Sequence, residues 1–291
     1  MTNLRLGVLA YAVTRIESLQ HYKKKLDNLV AIGAVEADVL VMPEYACMEV
    51  AAAFGGGADP VAELEAVCAR SDDILEIMRD CAMRHNVWLQ PGTIPFRNES
   101  GVVHNRAPLI SPAGKIALQD KHVMTRFEAE SWGVRSGTPP NVFETPWGRI
   151  GIAICYDSEF PSLVRAQIEA GAWLILVPTC TDTWHGFNRV CLSARARALE
   201  NQCFVAVAPT VGAAPWLATL DDNHGRAGIY GPVDRGFAAD GIIAEGDMDT
   251  GGWLFATLNQ SDIEMVRAQG AVFNHRDWPA TPPPSPTVTL I

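Results

Sequence analysis

Apolar residues recur along the chain in two rhythms. Short apolar runs of strand length end at proline, glycine or a charged residue, and longer stretches repeat apolar positions at helical spacing. Residues 4–13 read as a first strand, and residues 18–37 as a helix with Leu26, Leu29, Val30 and Ile32 on its apolar side. Lys23, Lys24 and Lys25 read as that helix's solvated face. Residues 37–42 form a short buried strand closed by Pro43. After a break at 55–60, residues 61–84 read as one helix, and 87–93 as the next strand. Residues 105–110 and 115–120 pair as a hairpin across Ser111-Pro112-Ala113-Gly114.

The second half repeats the theme. An irregular polar and aromatic stretch covers 121–140, and 141–144 and 149–155 flank Thr145-Pro146-Trp147-Gly148 as a hairpin. Helices are expected at 160–170, with Pro161 tolerated in the first turn, and at 187–201. Strands are expected at 173–177, 203–208, 225–230, 241–245 and 253–258. Strand-helix-strand halves joined by hairpins point to sheets packed face to face with helices outside. No linker divides the chain, so residues 1–278 are expected to form one domain. The Pro-rich tail, 279–291, is expected to be extended rather than helical.

Composition narrows the function class. The 291 residues are 48% hydrophobic and 19% charged, which is globular rather than disordered. A formal net charge of −10 argues against nucleic acid or an anionic membrane as the main partner. The opening residues carry no pattern of a secretory leader, and no run reaches membrane-spanning length, so a cytoplasmic protein is expected. The seven cysteines form no CxxC pair and are expected to be reduced. The seven histidines are scattered without a ligand pair, and Gly55-Gly56-Gly57 lacks the Gly-Lys-Ser/Thr of a phosphate loop. Neither a metal nor another cofactor is expected.

Three polar residues each follow a strand-like run. Cys155 ends Ile150-Gly151-Ile152-Ala153-Ile154, Glu44 ends Val39-Leu40-Val41-Met42-Pro43, and Lys121 follows Gln119-Asp120. A thiol, a carboxylate and an ammonium are the parts needed for covalent acyl transfer: nucleophile, proton acceptor and oxyanion partner. The backbone N–H of Tyr156 is a second oxyanion donor. Each residue also has an ordinary reading, as a core cysteine, a strand-end surface glutamate and a turn lysine.

The ordered segments Pro43-Glu44, Lys121-His122 and Gly151-Ile152-Ala153-Ile154-Cys155-Tyr156-Asp157 resemble the motifs of the nitrilase superfamily of carbon-nitrogen hydrolases. The similarity covers roughly residues 4 to 270. It implies an α/β fold, a four-layer α-β-β-α sandwich, and a homodimer or larger homo-oligomer. It implies Glu44, Lys121 and Cys155 as a catalytic triad with a second glutamate, for which Glu128 is the better match and Glu130 the competitor. Tyr156-Asp157 departs from the Trp-Glu of nitrilase branches and is closer to amidases and carbamoylases. Ser158-Glu159 replaces the paired arginines common in N-carbamoyl amino-acid hydrolases. The expected substrate is a small amide, with an N-carbamoyl amine or a nitrile as alternatives. Tyr45, Trp132, Thr181, Trp184 and His185 are candidate substrate contacts. A catalytically silent scaffold homologue is the alternative of another class.

Overall fold

The computed structural model describes residues 3–57 and 59–278. The first half runs β1 (Leu4–Ala12), α1 (Leu19–Glu36), β2 (Val39–Val41), a 3₁₀ segment (Ala46–Phe54), α2 (Pro60–Cys68), α3 (Ser71–Arg84), β3 (Trp88–Gln90), β4 (Ile94–Arg97), β5 (Val103–Ile110) and β6 (Ile116–Asp120). A π-helical turn (Phe127–Trp132) leads to β7 (Val142–Thr145), β8 (Gly148–Ile152), a 3₁₀ turn (Cys155–Glu159), α4 (Pro161–Glu169), β9 (Leu174–Thr179), α5 (Trp184–Asn201) and β10 (Phe204–Val211). β11 (Gly228–Tyr230), β12 (Ile242–Glu245), β13 (Gly252–Leu258), α6 (Gln260–Gln269) and α7 (Asn274–Asp277) complete the order.

β1, β2 and β3 are parallel, β13 runs antiparallel on the other side of β1, and β5 joins β3 to the antiparallel β4 and β6. In the second sheet β8, β9 and β10 are parallel, edged by the antiparallel β7, β11 and β12. The sheets meet where Tyr11 and Ala12 of β1 pair with Thr210 and Val211 of β10.

The pleat sends alternate residues of β1 and β2 to different cores. Leu6, Val8, Val39 and Val41 join Ile150, Ile152, Leu174 and Leu176 of the second sheet in one cluster, which continues to Val164 and Ile168 of α4 and to Val190, Ala194 and Ala198 of α5. Leu9, Tyr11 and Leu40 instead pack with Leu26 and Val30 of α1 and Ile74 and Met78 of α3. The layers are therefore helix, sheet, sheet, helix, the α/β sandwich expected. Helix α1 lies close on its sheet because Gly7 and Gly33 both abut Leu40: a Cβ on either would meet Leu40 Cδ2 at 2.7 Å. Truncating Leu40 to alanine should cost about 2–5 kcal/mol.

The structure departs from the periodicity in several places. The single helix expected over 61–84 is two, α2 and α3, because Arg70 leaves helical geometry and Asp72 and Asp73 start a new first turn. The lysine run is not one solvated face. Lys24 is exposed, whereas Lys25 reaches inward to Glu49 at 2.7 Å. The 3₁₀ segment, β4, α6 and α7 had no clear pattern in sequence. The Pro-rich tail at 279–291 lies outside the described residues, and among those described no helix is long and apolar enough to cross a membrane.

Candidate active site

Glu44, Cys155 and Cys180 follow the C-terminal ends of the parallel strands β2, β8 and β9, the edge of an α/β sheet where ligands are commonly held. Lys121 follows β6, and its N–H donates to the Asn105 carbonyl at 2.8 Å, extending the β5–β6 pairing by one rung. Cys155 itself has φ +47°, the left-handed region that a residue with a Cβ enters at a cost of roughly 1–3 kcal/mol. Ser158 Oγ donates to the Cys155 carbonyl at 2.6 Å and Asp157 N–H to the Ile154 carbonyl at 2.9 Å, which fix the turn. The Asp157 carboxylate accepts from the N–H of His122 (3.0 Å) and of Val123 (2.7 Å), fastening the chain after Lys121 to the turn that carries the thiol.

The side chains converge in a buried cluster. Lys121 Nζ donates to Glu44 Oε1 at 2.7 Å and to Glu128 Oε2 at 2.6 Å. Glu44 also accepts from Asn105 Nδ2 (2.8 Å) and from the Cys180 N–H (3.2 Å). Glu128 accepts from the Tyr45 hydroxyl, the Thr125 N–H and the Thr125 hydroxyl, each at 2.9 Å. The Cys155 sulfur accepts from the Thr179 hydroxyl at 3.1 Å. Glu130, the competing glutamate, instead pairs with Arg126 in solvent at 2.9 Å.

One ammonium thus serves two carboxylates, and their environments separate them. Burial raises the Glu44 pKa to about 7, the Glu128 charge adds to that, and Lys121 only partly opposes it. Burial pushes Glu128 the same way, but Lys121 and the Thr125 and Tyr45 donors outweigh it and hold Glu128 below its ordinary value. Burial works to lower Lys121, yet the two carboxylates overcome it and its pKa is raised. The Cys155 thiol is pushed well up by burial and by the charge of Glu44, with Lys121 and Thr179 opposing. The resting thiol is therefore protonated, and the carboxylate beside it titrates near neutrality.

These groups line a cavity of about 620 Å³. Tyr45, Trp132, Thr181 and Tyr156 line it as well. Tyr45 and Trp132 pack edge to face at 5.1 Å, and Trp132 Nε1 donates to the Pro60 carbonyl at 3.0 Å. Trp184 and His185 are not among the lining residues. The face of α5 turned to the cavity carries Gly186, Arg189 and Val190, whereas Trp184 is half-exposed and lies against His224. Ala218 and Thr219 form another wall, held by the buried Glu63 of α2, which accepts from their N–H groups at 2.8 and 3.0 Å.

Asn105 and Glu63 were not singled out in the sequence, and Thr179 and Cys180 were placed only as part of the 179–185 stretch expected to border the rim. A polar residue within a strand, or a glutamate in an amphipathic helix, has no local signature until the fold shows what it faces.

Among the described residues, Asp27, Cys81 and His85 place potential metal ligands within 4.8 Å of one another, away from the cavity. Asp27 Oδ1 accepts from Arg84 at 2.5 Å and faces His85 Nε2 at 2.8 Å.

A family model described as carbon-nitrogen hydrolase matches residues 9–268. The probable hydrolase YhcX of Bacillus subtilis is 31% identical over 267 residues, and the chain spans about half of it: 91% of this chain, 51% of that protein. The deaminated glutathione amidase of Yersinia enterocolitica is 33% identical over 210 residues, 68% of this chain and 70% of the relative. The crystal structure of an amidase from Nesterenkonia sp. superposes with TM-score 0.72 at 25% identity, covering 94% of this chain and 96% of that one. A glutamate-to-glutamine variant of the Nesterenkonia amidase (TM-score 0.70, 25% identity, covering 94% and 96% of the two chains) carries the acetamide moiety of fluoroacetamide on its active-site cysteine.

Proposed function

We infer the chemistry from two facts taken together: the chain belongs to the carbon-nitrogen hydrolase family, and its cavity is lined by the Cys155 thiol, Lys121 and the carboxylates of Glu44 and Glu128. The function is cysteine-dependent hydrolysis of a small amide to its acid and ammonia. The observation that carries it is the shared ammonium: Lys121 lies 2.7 Å from Glu44 and 2.6 Å from Glu128, with the buried thiol beside them.

Glu44, with its pKa near neutrality, takes the Cys155 proton as sulfur attacks the amide carbon. The carbonyl oxygen becomes an oxyanion held by Lys121 and the Tyr156 N–H, donors of a kind worth about 10²–10³ in rate each. Glu44 returns the proton to the leaving nitrogen, and the carbon–nitrogen bond breaks to leave a thioester. Glu44 then takes a proton from water, hydroxide adds to the thioester, and the acid departs as Cys155 regains its proton. Glu128 holds Lys121 in place. The covalent adduct on the cysteine of the Nesterenkonia amidase supports the same site for attack.

The cavity rim supports a far end on the substrate that is neutral or an amine rather than a carboxylate. Arg126 pairs with Glu130 and Arg189 with Glu159, so neither guanidinium is set aside for a substrate carboxylate. The proposal includes a homodimer, supported by exposed Leu192 and Leu199 on α5 and Met265 on α6, which a second subunit would cover. Light scattering tests that part. Ammonia release from a panel of small amides, nitriles and carbamoyl amines tests the reaction, with Cys155→Ala as control. Hydrolysis retained by that variant would sink the assignment.

A further inference from the structure

We propose that Asn105 is a positioning residue that keeps Glu44 available as a base by donating one amide to both carboxylates of the Lys121 cluster. The inference rests on the amidase reading above. Asn105 lies on β5, wholly buried. Its Nδ2 donates to Glu44 Oε1 at 2.8 Å and towards Glu128 Oε1 at 3.3 Å, while its backbone carbonyl accepts from the Lys121 backbone N–H at 2.8 Å. One residue therefore touches the base, its competitor for the ammonium, and the chain that carries the ammonium.

The arrangement follows from charge. Two carboxylates around one ammonium repel each other, and an ionised carboxylate accepts but does not donate. A neutral group with two N–H bonds can sit between them without changing the total charge. Aspartate in the same shape would add a third anion, and leucine would face both oxygens with hydrocarbon. The amide orientation is set by the same logic. Asn105 Oδ1 is buried with no hydrogen-bond partner among the described residues. Turning the amide over would aim that oxygen at two acceptors. Leaving a buried carbonyl unpaired is costly, and here the donor side of the amide faces the cluster at that cost.

Removing the donor makes Glu44 easier to protonate, so less of it is ionised near neutral pH. The acidic limb of the activity profile then moves to higher pH. Asn105→Ala and Asn105→Asp in the full chain test this, with kcat and KM for a hydrolysed small amide followed from pH 5 to 10. The limb should rise by about one unit in the alanine variant and further in the aspartate variant. At pH 7 kcat of the alanine variant should fall about five- to sixfold, recovering at high pH, with KM within about threefold. Asn105→Ser, which keeps a donor, should restore part of the shift.

Alkylation of Cys155 by iodoacetamide against pH, read by peptide mass, supplies the same limb without any hydrolysis. Should the wild type hydrolyse no amide while the alkylation limb still moves, the amidase reading fails and the role of Asn105 stands. Should the alanine variant fail to fold, the nearly isosteric aspartate variant carries the test. Limbs that coincide with wild type in the variants that fold would overturn the proposal.

Discussion

Two buried lysine–glutamate clusters in this chain differ in how their charges are balanced. Lys25 Nζ lies 2.7 Å from Glu49 and 3.9 Å above the Tyr11 ring, and it also donates to the Ala12 carbonyl at 2.9 Å. Glu49 accepts in addition from the Tyr11 hydroxyl and from the Thr14 N–H at 3.1 Å. One cation meets one anion there, and neither lines the cavity. Five residues earlier, Glu44 shares Lys121 with Glu128 and stands beside a thiol. The consequence is visible in the lysines. Burial dominates at Lys25 and lowers its pKa, whereas at Lys121 two carboxylates outweigh burial and raise it. Burying an ion pair is thus ordinary structure. A surplus carboxylate beside a nucleophile, facing a cavity, is the arrangement that holds a proton ready to move.

The strongest way to break this comparison is to exchange its lysines. Lys121→Met should lower kcat/KM by at least about a hundredfold in the protein that folds, and it should also cost stability, because it leaves two buried carboxylates without their cation. Lys25→Met leaves Glu49 buried without its cation, so it should cost roughly 3–5 kcal/mol of stability in a denaturant titration. Turnover of the folded Lys25 variant should stay within a few-fold of wild type. Equal loss of turnover in both, without loss of stability at Lys25, would erase the distinction.

Titration sharpens it next. With Glu44 near 7, kcat/KM should fall about tenfold per unit as the pH drops below that value, because the base is then protonated. A profile flat from pH 5 to 8 would contradict the role.

The same group gives a smaller effect on stability, with a definite sign. A raised carboxylate pKa stabilises the fold in full below the ordinary value of 4.5, and that contribution is lost as pH rises through about 7. Glu44→Gln should therefore gain on wild type by a few °C in Tm between pH 5 and 8. Glu128 is held low, so its contribution is present above its ordinary value and is lost as pH falls. Glu128→Gln should accordingly lose Tm at pH 8. The smallest effect belongs to Glu130, whose partner Arg126 is exposed: Glu130→Gln should change stability by less than about 0.5 kcal/mol and leave turnover within twofold.

Periodicity made Glu44 and Cys155 candidates, because each ends an apolar strand where a polar side chain must face either solvent or a site, but it left a surface glutamate and a core cysteine equally open; the ordered resemblance to the nitrilase-superfamily motifs is what implied the set. Glu128 was preferred to Glu130 on the resemblance alone, because a loop has no period to choose between residues two apart; in the structure the π-helical turn brings Glu128 to Lys121 and leaves Glu130 beside Arg126. Trp184 and His185 follow the strand end that borders the cavity, but the α5 residues that line it are Gly186, Arg189 and Val190. Lys25 had been grouped with its neighbours because a charge run looks uniform in sequence, and only the position of Glu49 distinguishes it. The break at Arg70 was hidden because the apolar positions of α2 and α3 continue across it.

The central claim is that the thiol facing Lys121, Glu44 and Glu128 is the nucleophile that attacks the bound amide. Its most direct test is peptide mapping by mass spectrometry after incubation of the Glu44→Gln protein with fluoroacetamide, beside Cys155→Ala as control. The account predicts an acetamide adduct on Cys155, with the six other cysteines unmodified and no adduct in the control. An unmodified Cys155, or labelling spread evenly over the cysteines, would contradict it.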